Sequence, residues 1–528
     1  MAFDIVIRGG RVFDGVGGER GEADVGIAGD SVVAIEPSLK GDASRVIDAR
    51  GLAVAPGFVD PHTHGDIYPL LCPDSPGRLH DGVTTEIVGN CGESAFPQTD
   101  ASLAERSDSA ERYGLVVDWR TLDDFARRQD ALGSAINRGS LVGHGQVRAA
   151  VMGESDRAPT AGELEAMCGE VAASMDAGAW GLSTGLIYAP GMYAESAEIE
   201  ALCEVVARYG GVYASHIRSE GDEVEEAVAE FVGVGRRTGV RLQHSHIKAS
   251  GRANWGKIDR VIEQLEAARA EGIDIACDRY PYIASATGLS AFLPGWAREG
   301  GRAEMIERLA DEAVRERLLA WLRANESEAT WRGLVISDAR AEGWQRAEGR
   351  PVHALAEEAG TEPAMLALDL LAASGGRTSI VYFSMSEDNL ARWLGLPYVA
   401  IGSDSATRAV DGPTAVGKPH PRSYGTSARF LGRYVREQKV VPLAEGVRRL
   451  TGLPASRIGL TRRGVLRAGA FADITVFDPD RIEDKATYEC PQQYSVGVRH
   501  VLVNGAVAVE DGELTGVRNG RFLRRGTE

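Results

Sequence analysis

TAGELEAMCGEVAASMDAGAWGLSTGL, residues 160–186, and AEIEALCEVVARYGGVYASHI, residues 197–217, decide the fold between them. In the first, Thr160 and Glu163 stand at capping-box spacing, and Leu164, Met167, Cys168, Val171 and Met175 recur at the helical period as far as Gly178. Residues 179–186 then read as a strand. In the second, Ile199, Leu202, Val205, Val206 and Tyr209 form a further apolar stripe that stops at Gly210-Gly211, and residues 212–217 are again extended. Helix alternating with strand is the pattern of a parallel sheet, because parallel neighbours need a crossover between them.

The same cycle runs on through a strand at 241–247, a helix near 257–270 and a strand at 274–280. Strand ends fall near His62, Asn90, His144, Leu186, His216, His246, Tyr280 and Asp404. Eight such units predict an α/β fold closed as a (β/α)8 TIM barrel, here over residues 57–465. The interval from Tyr280 to Asp404 far exceeds one crossover, so residues from about 285 to 395 are expected to form an inserted lid subdomain. Outside the barrel the texture changes to short strands with turns, at 3–8, 10–13, 23–27 and 31–35, and again at 473–477, 496–503 and 506–510, where Asn504-Gly505 supplies a hairpin turn. Residues 1–56 and 466–528 are therefore expected to build one small β-sandwich.

With 528 residues, 44% hydrophobic and 25% charged, the chain has enough apolar content for two such units and shows no low-complexity tract. A net charge of −18 without a clustered basic run argues against nucleic acid and anionic membranes as partners. The strand-like start, the lack of a long apolar run and six scattered cysteines, most of them read as buried thiols, point to a cytoplasmic protein.

The chemistry is concentrated at strand ends. In Gly57-Phe58-Val59-Asp60-Pro61-His62-Thr63-His64 the two histidines are two apart, a spacing that puts both on one side of a strand but would make them diverge on a helix. Alone, His-x-His is a weak pattern. His216, His246 and Asp404 close three other strands, and a barrel directs all its C-terminal strand ends to one face. Cys91, in Val88-Gly89-Asn90-Cys91-Gly92, reaches the same face, where a thiolate beside imidazoles suits zinc; the plainer reading is a buried thiol.

These residues, with PGFVDPHTHGD (56–66), TTEIVGNCG (84–92), GLSTGLIYAPGMY (181–193), YASHIRSEGDE (213–223), SHIKASG (245–251), YPYIASATGL (280–289), IGSDS (401–405), HPRSYGT (420–426), FADITVFDP (471–479) and VLVNG (501–505), resemble the N-acyl-D-amino-acid deacylase (D-aminoacylase) family of the amidohydrolase superfamily over essentially the whole chain. The resemblance implies zinc-dependent hydrolysis of N-acyl-D-amino acids, one zinc held tightly by Cys91, His216 and His246, and a weaker second position at His62, His64 and Asp404. The stereochemistry rests on the resemblance alone. Many superfamily relatives bridge two metals with a carboxylated lysine on the fourth strand. Residues 178–186 contain no lysine, so Cys91 takes that place. This speaks against a cyclic-amide hydrolase, dipeptide hydrolysis stays as an alternative, and a non-catalytic binding scaffold would be expected to have lost ligands. Asp404 is then the general base and acid, the other reading being an acceptor that only orients a ligand.

For the substrate, a small N-acyl amino acid, the resemblance assigns the carboxylate to Lys248 and Tyr280; a solvated loop lysine and a barrel-filling aromatic are the plain alternatives. A hydroxyl contact falls to Ser285, with Thr287 nearby, because Ala286 stands where a serine is frequent. Tyr188 and Leu293 complete the candidate contacts. Residues 288–296 are small and apolar with no cation before Arg298, which favours apolar substrate side chains, unless the stretch packs under the lid and Arg298 or Arg340 reaches in. Arg422 and Tyr424 either close over the substrate or lie on an ordinary surface loop. His80, His144, His244 and His353 are read as structural.

Overall fold

The computed structural model describes residues 2–111 and 113–527. Its barrel strands are Phe58–Asp60, Val83–Val88, Asn137–Ser140 continued as Val142–Gly143, Gly181–Gly185, Val212–His216, Arg241–His244, Ile275–Arg279 and Val399–Ile401. All pair in parallel with their neighbours in chain order. Closure occurs between the last strand and the first: the Asp404 amide donates to the His62 carbonyl at 2.8 Å, and the His64 amide donates to Ser405 at 3.0 Å. The ends that carry His62, His64 and Asp404 are thereby stitched together by backbone.

Helix Ala161–Asp176 starts at a complete capping box. The Thr160 side chain accepts from the Glu163 amide, and the Glu163 carboxylate accepts from the Thr160 amide at 2.8 Å. Met167, Val171 and Met175 of this helix, and Ile199, Leu202 and Val206 of helix Ser196–Arg208, bury into one apolar cluster with Leu182, Tyr213 and Leu242 of the strands. Each such side chain contributes about 1.5–3 kcal/mol by burial, so the stripes read from sequence fix how each helix sits on the sheet.

Strands from both chain ends share one sheet. Phe3–Phe13, Glu19–Ala28, Ser31–Glu36, Ala43–Asp48 and Ala53–Pro56 join Ile474–Phe477, Val498–Val503, Ala506–Glu510 and Glu513–Leu514, through the antiparallel ladder of Ala53–Pro56 with Ile474–Phe477. The far edge turns back: the Val32 amide donates to the Ala470 carbonyl at 2.9 Å and the Gly469 amide to Val32 at 2.8 Å. The expected sandwich is thus a single sheet rolled around Ile5, Ile7, Val25, Ile27, Ile474 and Leu502. At the hairpin, Asn504 and Gly505 have φ of 47° and 81°, the pair of positive values that a two-residue turn of this hand requires.

Between the seventh and eighth strands lies a separate antiparallel sheet, Ala284–Gly288, Ser379–Phe383 and Leu334–Asp338, packed with helices around its own core. It closes on the loop that follows the fourth strand. The Tyr188 and Thr287 hydroxyls are 3.0 Å apart, the Tyr193 hydroxyl donates to Gly295 at 2.9 Å, and Arg298 donates to the Ile187 carbonyl at 2.8 Å. No helix of the described residues is long and apolar enough to cross a membrane.

Candidate metal centre and its surroundings

Six metal-competent side chains from five strand ends meet at one point. Cys91 Sγ lies 3.3 Å from His62 Nε2, 3.8 Å from His216 Nδ1 and 3.4 Å from His246 Nε2. His64 Nε2 is 2.9 Å from Asp404 Oδ1, and His62 Nε2 is 3.5 Å from the same oxygen. Two groups result, His62–His64–Cys91–Asp404 and Cys91–His216–His246, with Cys91 common to both. The donor set passes a geometric test for zinc: bonds of about 2.3 Å to sulfur and 2.0–2.1 Å to nitrogen at the tetrahedral angle separate the two donors by about 3.5 Å. The observed sulfur to nitrogen distances straddle that value.

Local backbone conformation supports the same centre. Cys91, His246 and Asp404 have φ of 52°, 35° and 51°, in the left-handed region that side-chain-bearing residues rarely occupy. Strain of this kind persists where the surroundings impose it, and it concentrates at functional sites. The Cys91 turn is clamped against the fourth strand at Gly185, where a Cβ would come within 2.1 Å of the Cys91 carbonyl oxygen.

Burial pushes the Cys91 thiol up to about 11 and the His216 imidazole down to about 4. His246 is likewise lowered, by burial and by the ammonium of Lys248. Neutral imidazoles present free lone pairs, whereas the thiol must give up a proton to bind a cation, so metal uptake here releases protons. Burial alone would raise Asp404, but Arg422, His246, His64 and His62 around it hold its carboxyl well below the usual range.

The profile of the Amidohydrolase family matches residues 45–509. The chain belongs to the amidohydrolase family. It is 38% identical, over 99% of its own length and 96% of the relative's, to an N-acyl-D-glutamate deacylase of Alcaligenes xylosoxydans xylosoxydans. The crystal structure of an N-acyl-D-glutamate deacylase from Bordetella bronchiseptica, complexed with zinc and a phosphonate mimic of the tetrahedral intermediate, superposes with a TM-score of 0.83 at 34% identity, covering 99% of this chain and 100% of that one. A D-aminoacylase structure, described for a binuclear centre with one-metal activation and second-metal attenuation, gives 0.82 at 33% identity with the same coverage.

Two acidic residues of this amidohydrolase escaped the sequence reading. Glu220 faces both imidazoles on the sides turned away from Cys91: its Oε1 is 2.9 Å from His246 Nδ1 and its Oε2 is 3.6 Å from His216 Nε2. It also contacts the Lys248 ammonium. Asp278 lies 3.1 Å from His62 Nδ1 and accepts from the His246 amide at 2.8 Å. A carboxylate behind a ligand histidine fixes its tautomer and ring orientation. The sequence signal available was an acid four residues after His216 and another at the end of the seventh strand. Below the centre, Arg78 ties the first strand to the eighth, lying 3.2 Å from Asp60 Oδ2 and donating to Ser403 Oγ at 2.9 Å and to the Ser405 carbonyl at 2.7 Å. Glu220→Gln is expected to weaken zinc binding about 10–100-fold. Competition with a fluorescent zinc chelator measures this, and an unchanged affinity would remove Glu220 from the centre's support.

The substrate candidates divide. Lys248 is only 4% exposed and ion-paired to Glu220, and Tyr280 is fully buried with its hydroxyl unpartnered among the described residues. Tyr188 sets its ring 5.3 Å from that of His216. Arg422 lies 2.7 Å from Asp404 and is buried, as is Tyr424, whose hydroxyl donates to the Ala409 carbonyl. Ser285 sits on the insertion strand Ala284–Gly288, opposite Tyr382. Leu293 packs in the apolar core of the insertion, with Leu289 and Leu309. An apolar run reads alike whether it lines a pocket or fills a lid. His144 is held 2.7 Å from Glu198, and His244 packs edge-on to Phe231.

Proposed function

We propose that this amidohydrolase cleaves the amide bond of N-acyl-D-amino acids, releasing a carboxylate and the free D-amino acid. The observation that carries this reading is the cage of Cys91, His216 and His246 with Asp404 beside it. Cys91, His216 and His246 would hold zinc, with His62, His64 and Asp404 as a weaker second position, and the bound metal would polarise the scissile carbonyl and lower the cost of taking a proton from water. Asp404, kept ionised by Arg422, accepts that proton and returns it to the leaving nitrogen. Tyr280 and Lys248 receive the substrate carboxylate, and Tyr188 and Ser285 line the approach under the insertion. D-stereochemistry is supported by the relatives. In this reading residues 1–56 with 466–528 form the rolled-sheet domain, 57–465 the barrel with its insertion, and the enzyme works in the cytoplasm. An assay panel of N-acetyl-D- and N-acetyl-L-amino acids, with and without a chelator, tests it: turnover of the L-series alone, or turnover indifferent to chelation, would refute it.

If residues 288–296 line the side-chain pocket, as the resemblance implies, apolar side chains are the preferred class, because that stretch offers no cation and burying an unpaired carboxylate is costly. At about 1–3 kcal/mol per methylene in a fitted pocket, N-acetyl-D-leucine is expected to exceed N-acetyl-D-alanine clearly in kcat/KM. One observation favours the opposite class. Arg298 reaches the Ile187 carbonyl beside Tyr188, and its Nε has no partner among the described residues. Comparing kcat/KM for N-acetyl-D-leucine and N-acetyl-D-glutamate decides; a preference for glutamate would overturn the apolar reading and move the pocket to Arg298.

A further inference from the structure

Three cations surround one buried ring. The guanidinium carbons of Arg279 and Arg422 lie 4.1 and 4.5 Å from the centroid of Tyr280, and Lys248 Nζ lies 5.9 Å away. Two of the three have an anion of their own, Glu220 for Lys248 and Asp404 for Arg422. Arg279 has none among the described residues. Its Nη2 donates to the Tyr282 carbonyl at 2.8 Å and sits 2.9 Å from Met385 Sδ, while Nε and Nη1 are unpartnered and the residue is 1% exposed. The Tyr280 hydroxyl is unpartnered as well.

A guanidinium buried without an anion is destabilising, and an aliphatic side chain would fill this wall at lower cost. The ring of Tyr280 offsets part of that cost, since cation–π attraction strengthens when both partners are desolvated. What remains is one uncompensated positive charge beside one unsatisfied phenol, in a medium where charge interactions are little screened. A carboxylate accepting from the Tyr280 hydroxyl would satisfy both.

We propose that Arg279 is a positioning residue for the substrate carboxylate: stacked on Tyr280, it holds the phenol in place and supplies the unbalanced charge that the carboxylate neutralises. The inference rests on reading Tyr280 as the carboxylate contact. It assigns part of the recognition to a residue that does not itself touch substrate.

Steady-state kinetics of the zinc-loaded enzyme on an N-acetyl-D-amino acid and on the matching N-acetyl amine, which lacks the carboxylate, test it in R279Q, R279K, Y280F and R279Q/Y280F. R279Q is expected to raise KM for the acid about tenfold or more, with a much smaller change in kcat and in KM for the amine. In the Y280F background the same substitution should add little. R279K keeps the charge but loses the planar stack, so its KM falls between wild type and R279Q. An R279Q effect equal on acid and amine, or fully independent of Y280F, overturns the proposal. If R279Q does not fold, R279K decides: a KM increase for the acid as large as that of Y280F overturns it, and a smaller one specific to the acid supports it. Should Y280F leave the acid-to-amine preference unchanged, the carboxylate reading of Tyr280 itself is wrong; a loss of preference in Y280F without one in R279Q removes Arg279 alone.

Discussion

Cys91→Ala is expected to yield a folded protein that retains well under one zinc per chain and turns over N-acetyl-D-amino acids near background. Cys91 is the donor common to both candidate groups, 3.4 Å from His246 Nε2 and 3.8 Å from His216 Nδ1, so its loss leaves neither group complete. The same outcome is expected of His216→Ala, which removes one of the two imidazoles of the Cys91–His216–His246 group. The fold should survive either change, because the apolar core lies between strands and outer helices and does not depend on the centre. Elemental analysis of dialysed protein, alongside its circular dichroism, measures the effect. Full zinc occupancy in a folded Cys91→Ala variant would remove this residue from the metal site.

Asp404→Asn separates chemistry from binding. Cys91, His216 and His246 remain, so zinc should stay, while an amide cannot take a proton from water. Loss of general acid-base catalysis typically costs about 10²–10⁴-fold, and kcat is expected to fall within that range with zinc retained. Arg422 would also lose its anion, which supports measuring Arg422→Lys for comparison. Near-normal turnover by Asp404→Asn at neutral pH would reduce Asp404 to an orienting acceptor.

Much of this was legible in the sequence for a simple reason. Strands that alternate with capped amphipathic helices must point their ends at one face, so His62, His64, Cys91, His216, His246 and Asp404 could be gathered without coordinates. Glu220 was not legible, because its role depends on a loop folding back until one carboxylate faces two imidazoles and an ammonium. The left-handed backbone at Cys91, His246 and Asp404 was equally hidden, since a glycine would have signalled it and none stands at those positions. Leu293 shows the opposite limit. Its apolar neighbourhood was visible, but periodicity carries no information on which apolar surface meets substrate. The rolled end sheet follows the same rule: its strands and the Asn504-Gly505 turn were readable, whereas the return of Ser31–Glu36 to residues 469–472 is a long-range contact.

The central claim is that zinc at Cys91, His216 and His246 supports hydrolysis of N-acyl-D-amino acids. Its most direct test is stepwise return of zinc to the stripped protein while the release of free D-leucine from N-acetyl-D-leucine is followed. Activity absent without metal, rising to a maximum near one zinc per chain and lost again on Cys91→Ala, is the result expected. Full activity in the stripped protein, or a rise with zinc that Cys91→Ala leaves intact, would contradict it.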